Sequence, residues 1–147
     1  MAAVCAAVLV VAVVVVVVVI RSGSSEETIQ EYGDRVQPVY DEMNDSLNDL
    51  QAEGQTAADS GDLYEYGRAC DRVHDANEAV EETLPTPDDD LTTDIESAVY
   101  AFDRSTHYCT MAIESVDSEL FDESFRYVEQ GFGHWQDATE RLQELNQ

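Results

Sequence analysis

The sequence contains no lysine, and this absence is the most informative gap in its composition. All 7 basic residues are arginines, whereas 32 residues are aspartate or glutamate, which gives a formal net charge of −25 at pH 7. Every carboxylate side chain follows Arg21. Proteins that bind nucleic acid or an anionic membrane surface need patches of lysine and arginine, so we expect neither kind of partner. A solvated acidic surface is the simplest interpretation of these charges.

The sequence also lacks the common catalytic motifs. It has no Cys-x-x-Cys pair, no serine-hydrolase elbow and no phosphate-binding glycine loop. A cysteine nucleophile would need a partner histidine and an exposed thiol of low pKa. Cys70 has His74 one helical turn away and Cys109 has His107 nearby, but the surrounding carboxylates disfavour a thiolate. We therefore predict a protein without catalytic activity.

A metal-binding helical bundle would need a different pattern of acids and histidines. Di-iron bundles use two Glu-x-x-His motifs and two further glutamates that face inward. The nearest match is Asp71-x-x-His74, which has the wrong acid, and neither His107 nor His134 completes a second copy. We predict no metal site and no cofactor, with the three histidines at the solvated rim of the fold.

The N-terminal run Met1–Ile20 is apolar throughout and is followed by Arg21. Twenty helical residues span ~30 Å, the hydrocarbon thickness of a bilayer. We predict a retained transmembrane anchor over residues 1–21, a flexible tether over 22–25 and an acidic domain over 26–147. The positive charge of Arg21 would place that domain in the cytoplasm, whereas a disulfide would place it in an oxidising compartment. We favour the extracytoplasmic orientation.

Hydrophobic spacing after the tether predicts an all-α, up-and-down bundle of about four helices, because apolar residues recur at alternating steps of three and four. We predict a first helix over Glu26–Glu53, kinked or split at Pro38, and a loop over Glu53–Gly61 with Asp59 or Ser60 as the next cap. The remaining helices are expected over Leu63–Leu84, over Pro87–Val116 with an apolar stripe that starts at Leu91, and over Glu119–Leu145.

A proline-rich turn separates the second and third helices. Pro85 disfavours helical angles at Leu84, so the second helix should stop there. We expect Thr86 to cap the third helix and Pro87 to occupy its first position. The run Asp88–Asp90 then suits the helix N-terminus electrostatically. A calcium site is the alternative, but the run lacks the ligand spacing of an EF-hand loop.

Cys70 and Cys109 lie on the inner stripes of the second and third helices. Folding about the proline turn brings them within about one helical turn, or ~5 Å, along the axis. We predict a disulfide, which would close a loop of about forty residues and contribute ~3–4 kcal/mol in the chain-entropy treatment. Two buried free thiols are the alternative, because free cysteine often serves as a small core residue.

The segment from Cys70 through Leu84-Pro85-Thr86-Pro87-Asp88 to Cys109 resembles an uncharacterised family of small helical proteins, membrane-anchored or secreted, from actinobacteria and their phages. The resemblance covers about forty to eighty residues. It implies an anchored helical domain and carries no assigned activity. The chain departs from secreted members in having no basic residue before the apolar run.

Together these features predict a single-pass membrane protein of the cell envelope that acts through interactions, with a possible protein partner and no nucleic acid. Exposed tyrosines could form part of a partner surface. Two other functions are compatible with the sequence. The bundle could hold a small ligand or a metal between its helices, or the chain could be a phage membrane protein that excludes a second phage.

Overall fold

The structure, a computed structural model, describes residues 27–147, and this part of the chain folds into four helices and no strand. The helices are α1 (Ile29–Ser60), α2 (Tyr64–Glu81), α3 (Asp89–Ser115) and α4 (Ser118–Leu145). The all-α prediction of about four helices is therefore confirmed for the described residues. The predicted anchor, the tether and Cys5 lie outside them. Among residues 27–147 no helix has the length and apolar character needed to cross a bilayer.

Consecutive helices run antiparallel, as expected for an up-and-down bundle. Three hydrogen bonds connect neighbouring segments, namely Tyr32 to Thr83, Asn77 to the Val99 carbonyl, and Ser124 to the Ser105 carbonyl. Extensive contacts connect α1 with α2, α2 with α3, and α3 with α4. In contrast, α1 and α4 touch at only a few positions. The bundle is therefore well packed on three sides and loosely closed on the fourth.

The first helix is longer than predicted. It begins after a capping box, in which Thr28 and Glu31 each accept a hydrogen bond from the other's backbone N–H. It continues past Pro38 without a break and through the segment predicted to be a loop, as far as Ser60. Gly61 ends it with φ 74°, a left-handed angle that glycine adopts at little cost. Of the two effects expected of Pro38, a kink or a split, the split is wrong, and so is the predicted loop over Glu53–Gly61.

Two predicted caps also differ from the structure. Neither Asp59 nor Ser60 caps α2, because both still belong to α1, and Asp62 accepts a 3.0 Å hydrogen bond from Tyr64 N instead. Asp88, not Thr86, is the N-cap of α3 and accepts from Leu91 N at 2.9 Å. The Thr86 hydroxyl is instead engaged in the turn itself, where it donates to the Asp88 carbonyl at 2.6 Å.

The core follows the predicted stripes closely. Most predicted positions of the hairpin are buried, namely Tyr66, Cys70, Val73, Asn77 and Val80 on α2 and Leu91, Ile95, Ala98, Phe102, Ser105, Cys109 and Ala112 on α3. Val116 is an exception, because it is 76% exposed and ends α3 with φ 53°. On α4, Trp135 is buried, but Phe125 and Phe132 remain 48% and 39% exposed. These two rings lie on the side where α1 and α4 barely meet.

Candidate functional site: a groove between the first and last helices

The predicted cysteine pair meets in the core. The Sγ atoms of Cys70 and Cys109 lie at disulfide bonding distance, and their Cα atoms are 6.5 Å apart, within the range that a disulfide spans. Both residues are buried. The bond joins the middle of α2 to the second half of α3. Because both sulfurs are used in this bond, neither cysteine is available as a nucleophile.

The histidines are exposed on the bundle surface. His74 and His107 line a small cleft of about 240 Å³ beside Cys70, together with Asp71 and Asp103. Within residues 27–147 no three potential ligands converge closely enough to hold a metal ion. The closest polar contact of His74 with an acid is 3.7 Å to Glu78. This cleft therefore offers neither a formed metal site nor an activated nucleophile.

The acidic run after the proline turn stabilises a helix start. The Arg141 guanidinium donates to both carboxylate oxygens of Asp88, at 3.3 and 3.1 Å, and so ties α4 to the N-terminus of α3. This contact, followed by the hydrogen bond from Leu91 N, holds the pKa of Asp88 below its usual value. Such an arrangement is a helix cap joined to an ion pair, and it supports the capping interpretation of the run rather than the calcium alternative.

The tyrosines that could contribute to a partner surface are separated by the fold. Tyr66 is buried, whereas Tyr64 and Tyr100 are largely exposed. Tyr108 and Tyr127 stack with their ring centroids 5.6 Å apart. Arg104 lies over Tyr108, and Arg126 lies 4.2 Å from the Tyr127 centroid. Arg126 and then Arg104, as hydrogen-bond donors, lower the pKa of Tyr127. These four side chains contact one another between α3 and α4, although the Arg104 Nε has no hydrogen-bond partner among the described residues.

The seam between α1 and α4 is loosely packed, because these two helices make few contacts. Near its midpoint the Trp135 indole donates to Asn44 at 2.9 Å and packs 4.6 Å from the Tyr40 ring. A polar cleft of about 750 Å³ lies between this contact and the N-terminus of α1. An apolar groove of about 590 Å³ lies on the other side and meets the cleft at Phe132. We call this second feature the α1–α4 groove.

The α1–α4 groove has an apolar floor. Small and aliphatic residues of α1 face aromatic and aliphatic residues of α4, and the lining includes Leu47, Leu50, Gly54, Ala58, Phe125, Val128 and Phe132. A smaller depression under Phe121 and Phe125 continues it towards Leu63. The lack of a side chain at Gly54 leaves room for the Tyr66 ring, which a Cβ there would approach to 3.2 Å. The groove thus leaves apolar surface exposed that a closer α1–α4 contact would have covered.

Acidic residues flank this groove on both helices. On α1, Asp59 directly follows Ala58 of the groove lining, and helical spacing places Asp41 on the same edge but six positions before Leu47. Asp34 continues this line beyond the groove and lines the polar cleft. On α4, Glu129 lines the groove and Asp122 lies seven positions earlier on the same edge, whereas Glu140 lies eight positions beyond Phe132. All six residues are exposed. No arginine lines either the polar cleft or the groove in the described residues.

Sequence reasoning did not predict the groove. The helical spacing of Phe125, Val128 and Phe132 is typical of core positions, but the structure leaves Phe125 and Phe132 exposed. The facing wall includes Gly54 and Ala58, which were placed in a loop. A usable signal was present, because Leu47, Leu50, Gly54 and Ala58 keep the three-and-four spacing of α1 beyond Glu53.

Comparisons of the chain with protein families, with curated proteins and with solved structures find no match. The resemblance to the actinobacterial and phage family stays a prediction.

Proposed function

We propose that this chain is a membrane-anchored helical protein of the cell envelope, which presents an acidic bundle outside the cytoplasm and acts by binding another protein rather than by catalysis. The observation that carries the proposal is the Cys70–Cys109 pair, because a disulfide in a small domain indicates an oxidising compartment. The apolar run Met1–Ile20 supplies a candidate anchor of bilayer length.

The shape of the bundle supports an interaction role. Exposed apolar surface on a soluble domain commonly marks a binding site, and the α1–α4 groove is a surface of this kind. The cysteines and histidines offer no catalytic arrangement in the described chain, since the cysteines are bonded together and the histidines are exposed. Binding is therefore the activity that these residues favour.

Thiol labelling of intact cells tests this proposal. A reagent that does not cross membranes should label Cys70 and Cys109 only after treatment with a reductant. The Cys70→Ala/Cys109→Ala variant retains Cys5 alone and should stay unlabelled in intact cells, since Cys5 would lie in the bilayer. Labelling that appears only after lysis, and without reductant, would place a reduced domain in the cytoplasm and contradict the proposal.

A further inference from the structure

We propose that the α1–α4 groove binds a cationic amphipathic helix of a partner protein. This inference rests on the proposed interaction function and names the class of partner. Three features of the groove carry it: its shape, its apolar floor and its acidic edges. Each restricts the occupant independently of the others.

The shape of the groove suits a helix. Its floor on α1 runs from Leu47 to Ala58, eleven positions, or ~17 Å at the helical rise. Three turns of a partner helix have the same length. An amphipathic helix that lies in such a groove inserts anchors at positions i, i+3 or i+4, and i+7. The exposed rings of Phe125 and Phe132 are seven positions apart on α4 and offer two contact points for these anchors.

The acidic edges select the charge of the occupant. Asp59 lies on the α1 edge, and Asp122 and Glu129 lie on the α4 edge, with no arginine lining the groove between them. A helix with arginine or lysine on both flanks of its apolar stripe would place cations opposite both edges, and such complementarity speeds association and excludes wrong partners.

The same charges disfavour the other candidate occupants. A second copy of this chain, with a net charge of −25, would bring acidic edges against acidic edges. Residues 1–20 of the same chain carry no charged side chain to match these edges. A cationic amphipathic helix complements both the apolar floor and the acidic edges of the groove.

The test uses the full chain in nanodiscs of zwitterionic lipid and a fluorescein-labelled peptide of about four turns, with leucine at i, i+3, i+4 and i+7 and lysine on both flanks. Fluorescence anisotropy measures binding, with empty nanodiscs as the blank. A second peptide keeps the leucines and replaces the lysines with glutamate. We expect the cationic peptide to bind at least roughly tenfold more tightly than the anionic peptide at low salt, and to lose this advantage as salt increases.

Two sets of variants locate the binding. Ala58→Trp places an indole in the groove from an exposed helical position and should weaken binding by roughly tenfold or more, because the anchors lose their space. Met111→Trp on α3 is its matched control and should bind normally. Asp59→Asn/Asp122→Asn/Glu129→Gln should weaken binding severalfold and reduce its salt dependence, whereas Asp75→Asn/Glu81→Gln/Glu96→Gln on α2 and α3 should change it less.

The outcomes separate the inference from the proposed function. Equal binding of both peptides, or preference for the anionic one, would leave a helix-binding groove but overturn the cationic class. No binding, or binding unaffected by Ala58→Trp, would overturn the inference without affecting the result of thiol labelling. A chain that is dimeric in sedimentation and becomes monomeric in Ala58→Trp would show that a second copy fills the groove. A cytoplasmic, reduced domain would instead contradict the proposed function whatever the peptides do.

Discussion

At the scale of single residues, two glycines of α4 show how the same residue type can have opposite roles. Both Gly131 and Gly133 lie inside α4, where a glycine costs ~1 kcal/mol relative to alanine. A Cβ on Gly131 would come within 2.6 to 2.9 Å of three atoms of the Phe102 ring, whereas a Cβ on Gly133 would meet nothing within 4 Å. Gly131 therefore permits the close approach of α3 and α4, and Gly133 has no such contact.

We expect Gly131→Ala to lower the free energy of unfolding by about 1–3 kcal/mol, because the added methyl group overlaps a fully buried ring. Gly133→Ala is the matched control and should raise the free energy of unfolding by about 0.5–1 kcal/mol through helix propensity. Denaturant unfolding of the two variants measures both effects. Similar stabilisation in both would show that Phe102 does not press on Gly131.

Asp88 combines a helix cap with an ion pair, and substitutions can separate the two. Asp88→Ala removes both and should cost about 1 kcal/mol through the cap alone. Asp88→Asn keeps a capping oxygen but loses the charge that pairs with Arg141. Because the folded pKa of Asp88 is lowered, the pair stabilises the fold above the unfolded pKa of about 4 and this contribution disappears as pH falls through the folded pKa.

The expected signature is a stability difference between wild type and Asp88→Asn that is present at pH 7 and shrinks below about pH 4. Denaturant unfolding across pH measures it. The neighbouring exposed residue gives the control, since Asp89→Asn should change stability by less than about 0.5 kcal/mol. A difference between wild type and Asp88→Asn that stays constant down to pH 2 would show that the charge of Asp88 contributes nothing.

At the scale of helices, the apolar stripes, which depend on local spacing, could be predicted from the sequence, whereas the end of α1, which depends on tertiary contacts, could not. The stripes of α2 and α3 were predicted because strict three-and-four spacing needs no knowledge of neighbours. The final two turns of α1 were missed because Gly54, Asp59 and Ser60 favour loops locally. In the fold, Ala57 is buried in the core and Gly54 faces Tyr66. These contacts with α2 override the local preference, and Gly61 provides the actual stop.

The disulfide is the covalent connection between two of these helices. It joins cysteines that are 39 positions apart, so the chain-entropy treatment gives a stabilisation of about 4 kcal/mol. We expect Cys70→Ala/Cys109→Ala to lose about this amount in denaturant unfolding. A reductant should destabilise the wild-type chain to a similar degree and leave the double variant unchanged. Equal stability of oxidised and reduced wild type would show that the bond does not contribute to folding.

At the scale of the whole molecule, the α1–α4 groove depends on the distance between α1 and α4, which no local sequence pattern encodes. The sequence gives the apolar stripe of each helix, and hence which faces point inward. It does not determine that Trp135, Tyr40 and Asn44 hold the seam at one point while the helices remain separated beside Phe125 and Phe132. The acidic edges, in contrast, could be derived from helical spacing once the bounds of α1 and α4 were known.

The net charge of −25 suggests that repulsion between carboxylates lowers the stability of the whole fold at low salt. Two like charges about 10 Å apart repel by ~0.4 kcal/mol in water, and many such pairs must be present on a bundle of this size. The exposed ion pairs that oppose this repulsion contribute little. Raising sodium chloride from 0.01 to 0.5 M shortens the screening length from ~30 Å to a few ångströms. We therefore expect the free energy of unfolding to increase with salt.

Thermal or denaturant unfolding at several salt concentrations measures this dependence. The variant Asp75→Asn/Glu81→Gln/Glu96→Gln carries three fewer negative charges on exposed positions of α2 and α3, so it should be more stable than wild type at low salt and should gain less from added salt. If stability instead fell as salt increased, attraction within pairs such as Arg35–Glu27 and Arg141–Asp88 would outweigh the repulsion. Attraction between carboxylates and the few arginines, rather than repulsion among the carboxylates, would then determine how the free energy of unfolding depends on salt.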